Sequence, residues 1–400
     1  MQSQFSDTEQ AFADQVELFI TEHWLNQAEP RRRLRAWLND ADTAPLRQQW
    51  YRRVVEAGWA VPHWPPEFGG CDWSAAQLHI WFSACVRHQT PIVLTFATAH
   101  VGPLLIEYGN KEQKALLPKI AAFEESWCLG WAERGAVVDD YALSTRAVQE
   151  AGGKGITYVN GAKTRVLDGM HANWMICVAL AAQDQPCVLL VPLQQKSINR
   201  TPKAALSTGQ PMAEIEMCKA TVPTWGTLAV STQTLRARLS GFVETDLSSL
   251  ADGAALAEQT QKLKQQLLCE NNVEEGLLRD CDALAIEALG LEGMEQRLLH
   301  SATAESADTL PFTAVRLRAQ TLWSKLSELQ IAAFGYYALP FVGGLLSDNE
   351  GAVDPRRPSG EIDMTMVMRR MLSPTIATEL GLDPRDTLAQ QALGLPEQEL

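Results

Sequence analysis

The chain has 400 residues, length for two or three domains at roughly 150 residues each and enough to bury several cores without disulfide or metal staples. Apolar residues make up 46% and charged residues 20%, a balance that excludes disorder. A net charge of −14, from 34 basic and 48 acidic side chains, disfavours nucleic acid as the main partner, because an acidic surface repels phosphate. No stretch approaches the ~18 apolar residues of a membrane-spanning helix, and the first residues, MQSQFSDTEQAF, are too polar and acidic for a signal or transit peptide. Eight cysteines lie scattered without a CxxC pair, the usage of buried thiols in a reducing cytoplasm.

Three zones follow in chain order: helical over 1–123, strand-and-turn over 124–230, helical again over 231–400. Ser6 and Glu9, three apart before a periodic run, predict a capped helix start, with Phe12, Val16, Phe19 and Ile20 on one face. Leu46, Trp50 and Val54 repeat the pattern up to a stop at Gly58. The arginine run at 31–35 reads as a solvated helix face. Thr90-Pro91 predicts a further helix start, running towards Gly109. Short apolar or alternating runs such as WMICVAL and CVLLVPL, separated by glycine and proline, then predict a β domain. Helical periodicity returns over 232–268, 275–303 and 311–335, the pattern of antiparallel bundle neighbours, and a last pair falls near 362–372 and 384–393.

The chemistry motifs detectable from spacing alone are few. Seven histidines form no HExxH or HxH, so no metal site is expected. There is no GxSxG elbow and no P-loop. Twelve tryptophans are best accounted for by core packing, and Cys128 reads as a core residue on an alternating strand.

Longer strings carry more. WPPEFGG at 64–70, GPLLIEYGNKEQKALLPKI at 102–120, WCLGWAERGAVVDDYALSTRAV at 127–148, VNGAKT at 159–164 and TI…ALGLP at 375–396 together resemble the acyl-CoA dehydrogenase family over nearly the whole chain. The first zone and IEALGLEGMEQRLL at 286–299 are similar to its bacterial branch of pimeloyl-CoA and steroid side-chain dehydrogenases. The resemblance implies an α+β, mainly α fold: an N-terminal helical domain, a middle β domain and a C-terminal four-helix bundle. It also implies FAD as cofactor and an acyl-CoA thioester as substrate, in fatty acid or steroid side-chain catabolism. In that chemistry a carboxylate removes the α-proton while a hydride leaves the β-carbon for the flavin.

The flavin motifs depart from the family pattern. Where the family has [ST]EPGxGSD, this chain has Ala132, Glu133, Arg134, Gly135, Ala136, Val137, Val138 and Asp139; the hydroxyls are gone and β-branched valines occupy the pyrophosphate stretch. Where the family has NGxKxWxT, Asn160, Gly161 and Lys163 remain, but Arg165 replaces the tryptophan and Leu167 the threonine. The retained residues are read as shaping a strand turn. Trp131 is a candidate cover of the active-site mouth, with buried packing as the alternative. For the base, the resemblance points to Glu244 in GFVETDL, or to Asp246 if the register slips; the family's C-terminal base position falls at Thr378, with Glu379 beside it.

Two functional expectations follow. One is a subunit of an FAD-dependent α,β-dehydrogenase of acyl-CoA thioesters. The other is a non-catalytic, architectural subunit, its FAD weakly held or supplied with a partner, in a dimer or tetramer with a homologous dehydrogenase. Apolar residues expected to dock against a partner are Ile286, Leu289, Met294 and Leu298 on one helix, with Leu322, Leu326 and Leu329 on the next.

Overall fold

The computed structural model describes residues 6–29, 32–33, 41–91, 93–133, 143–149, 156–204, 211–235, 239, 251–269, 274–301, 310–334 and 384–393. In chain order its main elements are α1 (Asp7–Ile20), α2 (Ala44–Glu56), α3 (Ala75–Arg87), α4 (Gly102–Tyr108), α5 (Lys111–Lys114) and α6 (Leu117–Ala121). The strands are β1 (Trp127–Gly130), β2 (Arg146–Gln149), β3 (Thr157–Leu167), β4 (Trp174–Leu180), β5 (Pro186–Pro192), β6 (Ile198–Ala204), β7 (Pro211–Val222) and β8 (Thr227–Leu228). Helices α7 (Asp252–Leu268), α8 (Glu275–Ser301), α9 (Leu310–Phe334) and α10 (Pro384–Leu393) follow. The helix–strand–helix order expected from the sequence is thus the observed one. The chain forms two compact units, one of residues 1–57, 72–92 and 244–373, the other of 58–71, 93–243 and 374–400.

In the first unit, Ser6 and Glu9 close a reciprocal capping box at the start of α1, and Ser74 and Gln77 do the same for α3, each satisfying N–H groups that a helix start leaves open. Val16, Ile20 and Trp24 are buried along one stripe, as are Leu46, Trp50 and Val54 of α2. Their rings pack with those of α3: Trp50 stacks on Trp81 at 6.2 Å between centroids, and Phe19 meets both. Glu17 of α1 accepts from Arg87 and His88 at the end of α3 (2.9 and 2.7 Å); the hydrogen bond from His88 leads the lowering of its pKa.

The same unit holds the bundle. Along α8, Cys281, Leu284, Ala288, Leu291, Glu295 and Leu298 are buried at alternating steps of three and four, the seam spacing of packed helices. They face Leu256, Leu263 and Leu267 of α7, and Val315, Ala319, Leu322 and Leu326 of α9. Leu298, Leu322 and Leu326 are therefore core residues of this chain, not docking residues, because they fall on the inner seams; Leu329 packs beside them half-buried. At Gly253 an added Cβ would lie 2.5 Å from the backbone N of Glu292, so only glycine lets the start of α7 settle on α8.

Glu295 interrupts the apolar seam for a reason. Its carboxyl accepts the Gly253 N–H at the start of α7 (3.1 Å), with Asp252, which accepts from the Trp323 indole, close by. Burial, and next the Asp252 charge, raise its pKa from 4.5 to about 9, so it is folded in as the neutral acid.

The second unit is built on an eight-stranded sheet in the order β6-β7-β3-β2-β4-β5-β8, with β1 pairing parallel to β4. The β2–β4 contact is also parallel; the other pairs are antiparallel. Strand β4 is buried on both faces. Ile176 and Val178 face a core with Leu104, Leu105, Leu117 and Ile120 of α4 and α6, while Met175, Cys177 and Ala179 face a core with Val159, Ala213 and Ile215, the period-two division of a strand.

The helix expected to open at Thr90-Pro91 instead begins near Phe96. Thr95 and Thr98 form the reciprocal cap there, each hydroxyl accepting the other's backbone N–H (3.2 and 2.9 Å). Two of the long sequence strings interlock beside it. Trp64 donates its indole N–H to Thr98 O (2.9 Å), and its ring lies where a Cβ on Gly102 would stand, 1.9 Å away.

Glu295 yields a test. The folded carboxyl keeps a proton that the unfolded chain releases above 4.5, so its contribution to stability falls as pH rises from 4.5 to about 9. Glu295→Gln still accepts from Gly253 and cannot ionise. Thermal unfolding followed against pH should show the variant more stable than wild type across that window, with the gap widening as pH rises. A constant gap, or a loss at every pH, would refute the neutral-acid assignment.

Candidate functional site

Four of the sequence-flagged residues are described: Trp131 and Ala132 just past the end of β1, and Arg165 and Leu167 near the end of β3. Past Gly130 the chain continues as Trp131, Ala132 and Glu133, and it is tied to β3 by the Thr164 N–H donating to Ala132 O (2.9 Å). At Gly130 a Cβ would meet Met175 Sδ of the neighbouring β4 at 2.4 Å.

A buried ion pair fixes the junction. Lys163, fully buried on β3, donates to Glu133 Oε1 at 2.6 Å and reaches Trp131 O at 3.4 Å. Glu133 also accepts the backbone N–H and hydroxyl of Ser144 (2.6 and 2.5 Å) and the N–H of Thr145 (3.2 Å). Burial alone would raise the pKa of Glu133, but the Lys163 ammonium and the Ser144 donors together lower it to about 2. This glutamate is a permanently ionised strut and has no proton to exchange near neutral pH. Glu133 and Lys163 stand separately in the sequence as retained motif positions, and nothing in the 30 residues of separation signals that they pair.

Beyond Lys163 the pairing of β3 with β7 shifts register between Lys163 and Val166. This bulge holds Arg165 exposed, with a left-handed φ of 52°. Among the described residues the Arg165 side chain has no hydrogen-bond or ion-pair partner. Leu167 is half-buried, and Ala132 likewise. Asn160 and Gly161, read as turn residues, lie inside β3 at an earlier register shift. Asn160 Oδ1 accepts the Lys219 N–H across it (2.8 Å). Gly161 takes a φ of 144°, where a Cβ would stand 2.5 Å from Thr145 Oγ1. They shape a strand irregularity because β3 is continuous from Thr157 to Leu167.

Trp131 is buried in the core cluster beneath the helices. Cys128 is buried too, and burial pushes its thiol well above the ordinary range, which makes it inert. Val137, Val138, Glu244, Asp246, Thr378 and Glu379 lie outside the described residues. Among the described residues no group of three or more histidine, cysteine, aspartate or glutamate side chains could hold a metal.

A flavin ring needs donors for its carbonyls and ring nitrogens. Of the described positions that the family resemblance assigns to it, Ala132 and Leu167 carry no polar side-chain atom, and Glu133 accepts only and is already engaged. Arg165 offers an exposed donor, and the Trp131 indole is buried. The described side chains therefore do not fit the flavin set.

The ion pair is testable apart from any activity. Lys163→Met leaves a buried charge uncompensated and should cost about 3–5 kcal/mol, read by denaturant unfolding. Adding Glu133→Gln to that variant should recover most of the loss. In wild type, the stability due to Glu133 is present above 4.5 and fades as pH falls towards about 2. A double variant no better than Lys163→Met alone would contradict the coupling.

Comparison with known proteins agrees with this architecture. The family model described as "Acyl-CoA dehydrogenase, N-terminal domain" matches residues 6–124. The acyl-CoA dehydrogenase IpdE1 of Mycolicibacterium smegmatis is 32% identical over 170 residues, 39% of this chain and 43% of that protein; the match spans less than half of the relative's length. Among solved structures, the Tcur3481-Tcur3483 steroid ACAD superposes with a TM-score of 0.77 at 16% identity, over 99% of this chain and 100% of that one. The ChsE4-ChsE5 complex from Mycobacterium tuberculosis gives 0.74 at 18% identity, over 100% of each. The chain thus has the acyl-CoA dehydrogenase fold, and its sequence resembles the bacterial acyl-CoA dehydrogenases.

Proposed function

We propose that this chain is a subunit of an FAD-dependent acyl-CoA dehydrogenase, within the branch acting on steroid side-chain or pimeloyl-like thioesters, and that its own part is architectural. The observation that carries this reading is the contrast at the β1–β3 junction. The ion pair that holds the junction, Glu133 with Lys163, is intact at 2.6 Å. The positions near it that would meet a flavin, Ala132 and Leu167, present only hydrocarbon side chains.

On this reading FAD is held by a homologous dehydrogenase chain, and this chain supplies a wall and an interface. A solved relative of the same fold is itself a complex of two differently named chains, ChsE4 and ChsE5, which supports a paired arrangement. The eight free cysteines suit a reducing cytoplasm, and among the described residues no helix is long and apolar enough to cross a membrane. Glu244 is the candidate base of this chain; in a paired assembly the partner's base makes it dispensable.

Restoring the lost donors tests the site. Two neutral hydrogen bonds at about 0.5–1.5 kcal/mol each correspond to roughly fivefold to 150-fold in affinity. The Ala132→Thr/Leu167→Thr variant should therefore retain more flavin through purification than the unmodified chain, read from the visible absorbance. Unchanged retention would show that these positions do not face a flavin.

Co-expression with a homologous dehydrogenase tests the division of labour. Flavin and acyl-CoA turnover should appear with the pair, and Glu244→Gln in this chain should leave the turnover unchanged. Loss of turnover in Glu244→Gln would return catalysis to this chain.

A further inference from the structure

Helix α7 begins without a cap of its own. The residue before it is Ala251, which offers the first turn no side-chain acceptor, although a helix start leaves four N–H groups open. The acceptor comes from another helix. Glu295 of α8, fully buried, takes the Gly253 N–H at 3.1 Å to one carboxyl oxygen and 3.3 Å to the other. It does across two helices what Ser6 does for α1 and Ser74 for α3 within one.

The seat beneath this cap has no slack. A Cβ on Gly253 would stand 2.5 Å from Glu292 N and 2.7 Å from Glu292 Cα, so the first turn of α7 lies directly on the backbone of α8. From α9, Trp323 donates its indole N–H to Asp252 Oδ1 (2.7 Å). Three helices therefore meet at one turn, and that turn is a helix end, where local opening begins most easily. Helix α8 runs for 27 residues and passes the seat in mid-course, its seam packed on α7 and α9. The part able to lift is the start of α7.

The charges around Glu295 decide when it lifts. Among the described residues, Asp252 faces it from α7 and Glu292 stands near it on α8, both acidic. From α3, Arg87 bears on Glu292 and is itself held by Glu17 of α1 at 2.9 Å; α9 brings the neutral Trp323 indole. No cation pairs with Glu295 among the described residues. A protonated Glu295 can stay in this company. An ionised one puts an uncompensated charge into a buried acidic cluster, and lifting the turn lets water reach it. Burial first, and the Asp252 charge next, keep the proton on up to about 9, against an ordinary value of 4.5.

We propose that the first turn of α7 is a proton-held latch: it stays seated on α8 while Glu295 keeps its proton, and each opening releases that proton to solvent. Acid therefore tightens the start of the bundle and alkali loosens it, across the neutral range. The latch needs neither flavin nor a partner chain. It assigns the pH response to one turn, which the stability of the whole chain does not do.

Hydrogen exchange read by mass spectrometry on the purified full-length chain, from about pH 5.5 to about pH 9.5, tests the latch. One proton released per opening makes the opening constant of the first-turn amides, Gly253 to Leu256, rise about tenfold per pH unit once the chemical exchange rate is divided out. These amides should also exchange faster than those of the α8 seam, Leu284 to Leu291. Glu295→Gln still accepts from Gly253 and has no proton to lose, so its opening constant should stay level with pH. Asp252→Asn removes the nearest negative charge, so the rise should reach its plateau at lower pH. A level wild-type profile would overturn the proposal, whichever variants fold. So would a rise that survives Glu295→Gln, a plateau unmoved by Asp252→Asn, or first-turn amides that exchange only together with the seam.

Discussion

The ion pair between Lys163 and Glu133 is the constraint on which the rest of the β unit depends. Two charges taken out of water are costly unless their remaining donors and acceptors are also engaged. Here they are: Glu133 accepts from Lys163, Ser144 and Thr145, and Lys163 reaches Trp131 O as well. The pair thereby locks the stretch leaving β1 against β3. That lock places Ala132 beside Thr164 and is followed at once by the bulge that turns Arg165 outward. On the proposed reading the junction keeps its geometry, while Ala132 and Leu167 bring only hydrocarbon side chains to it.

Two buried glutamates show how neighbours decide ionisation. Glu133, facing an ammonium and several N–H and O–H donors, has its pKa lowered to about 2. Glu295, buried between an acidic neighbour and a helix start, has its pKa raised to about 9. The first is a charge held in place by a partner. The second is a neutral hydrogen-bonding group that happens to be an acid, and its cost appears only when the surroundings would have it ionise.

Much of the framework is legible in the sequence because it rests on local rules. Ser6 and Glu9 mark the start of α1 through one reciprocal cap, and the three-four periodicity of apolar residues places α8 and α9 within a residue or two of where they lie. Runs such as WMICVAL read as strands because both faces of β4 are buried. What was not legible is a choice between local signals or depends on partners distant in the chain. Thr90-Pro91 carries a helix-start signal, yet the neighbouring Thr95–Thr98 cap sets the start. Leu298, Leu322 and Leu326 are as apolar as Ile286 and Leu289, and only the fold sorts inner seam from outer face. The Glu133–Lys163 bond joins residues 30 apart, beyond the reach of any periodicity. Ala132, Arg165 and Leu167 were found through motif resemblance, and the hydrogen bond that ties their two segments together, Thr164 to Ala132, joins residues distant in the chain.

If the junction persists as scaffold without being a flavin site in its own right, FAD titrated into the purified homogeneous chain, followed by the quenching of flavin fluorescence, finds no saturable site at micromolar FAD while the chain still unfolds cooperatively. A stoichiometric, tightly saturating site on the unmodified chain alone would contradict it.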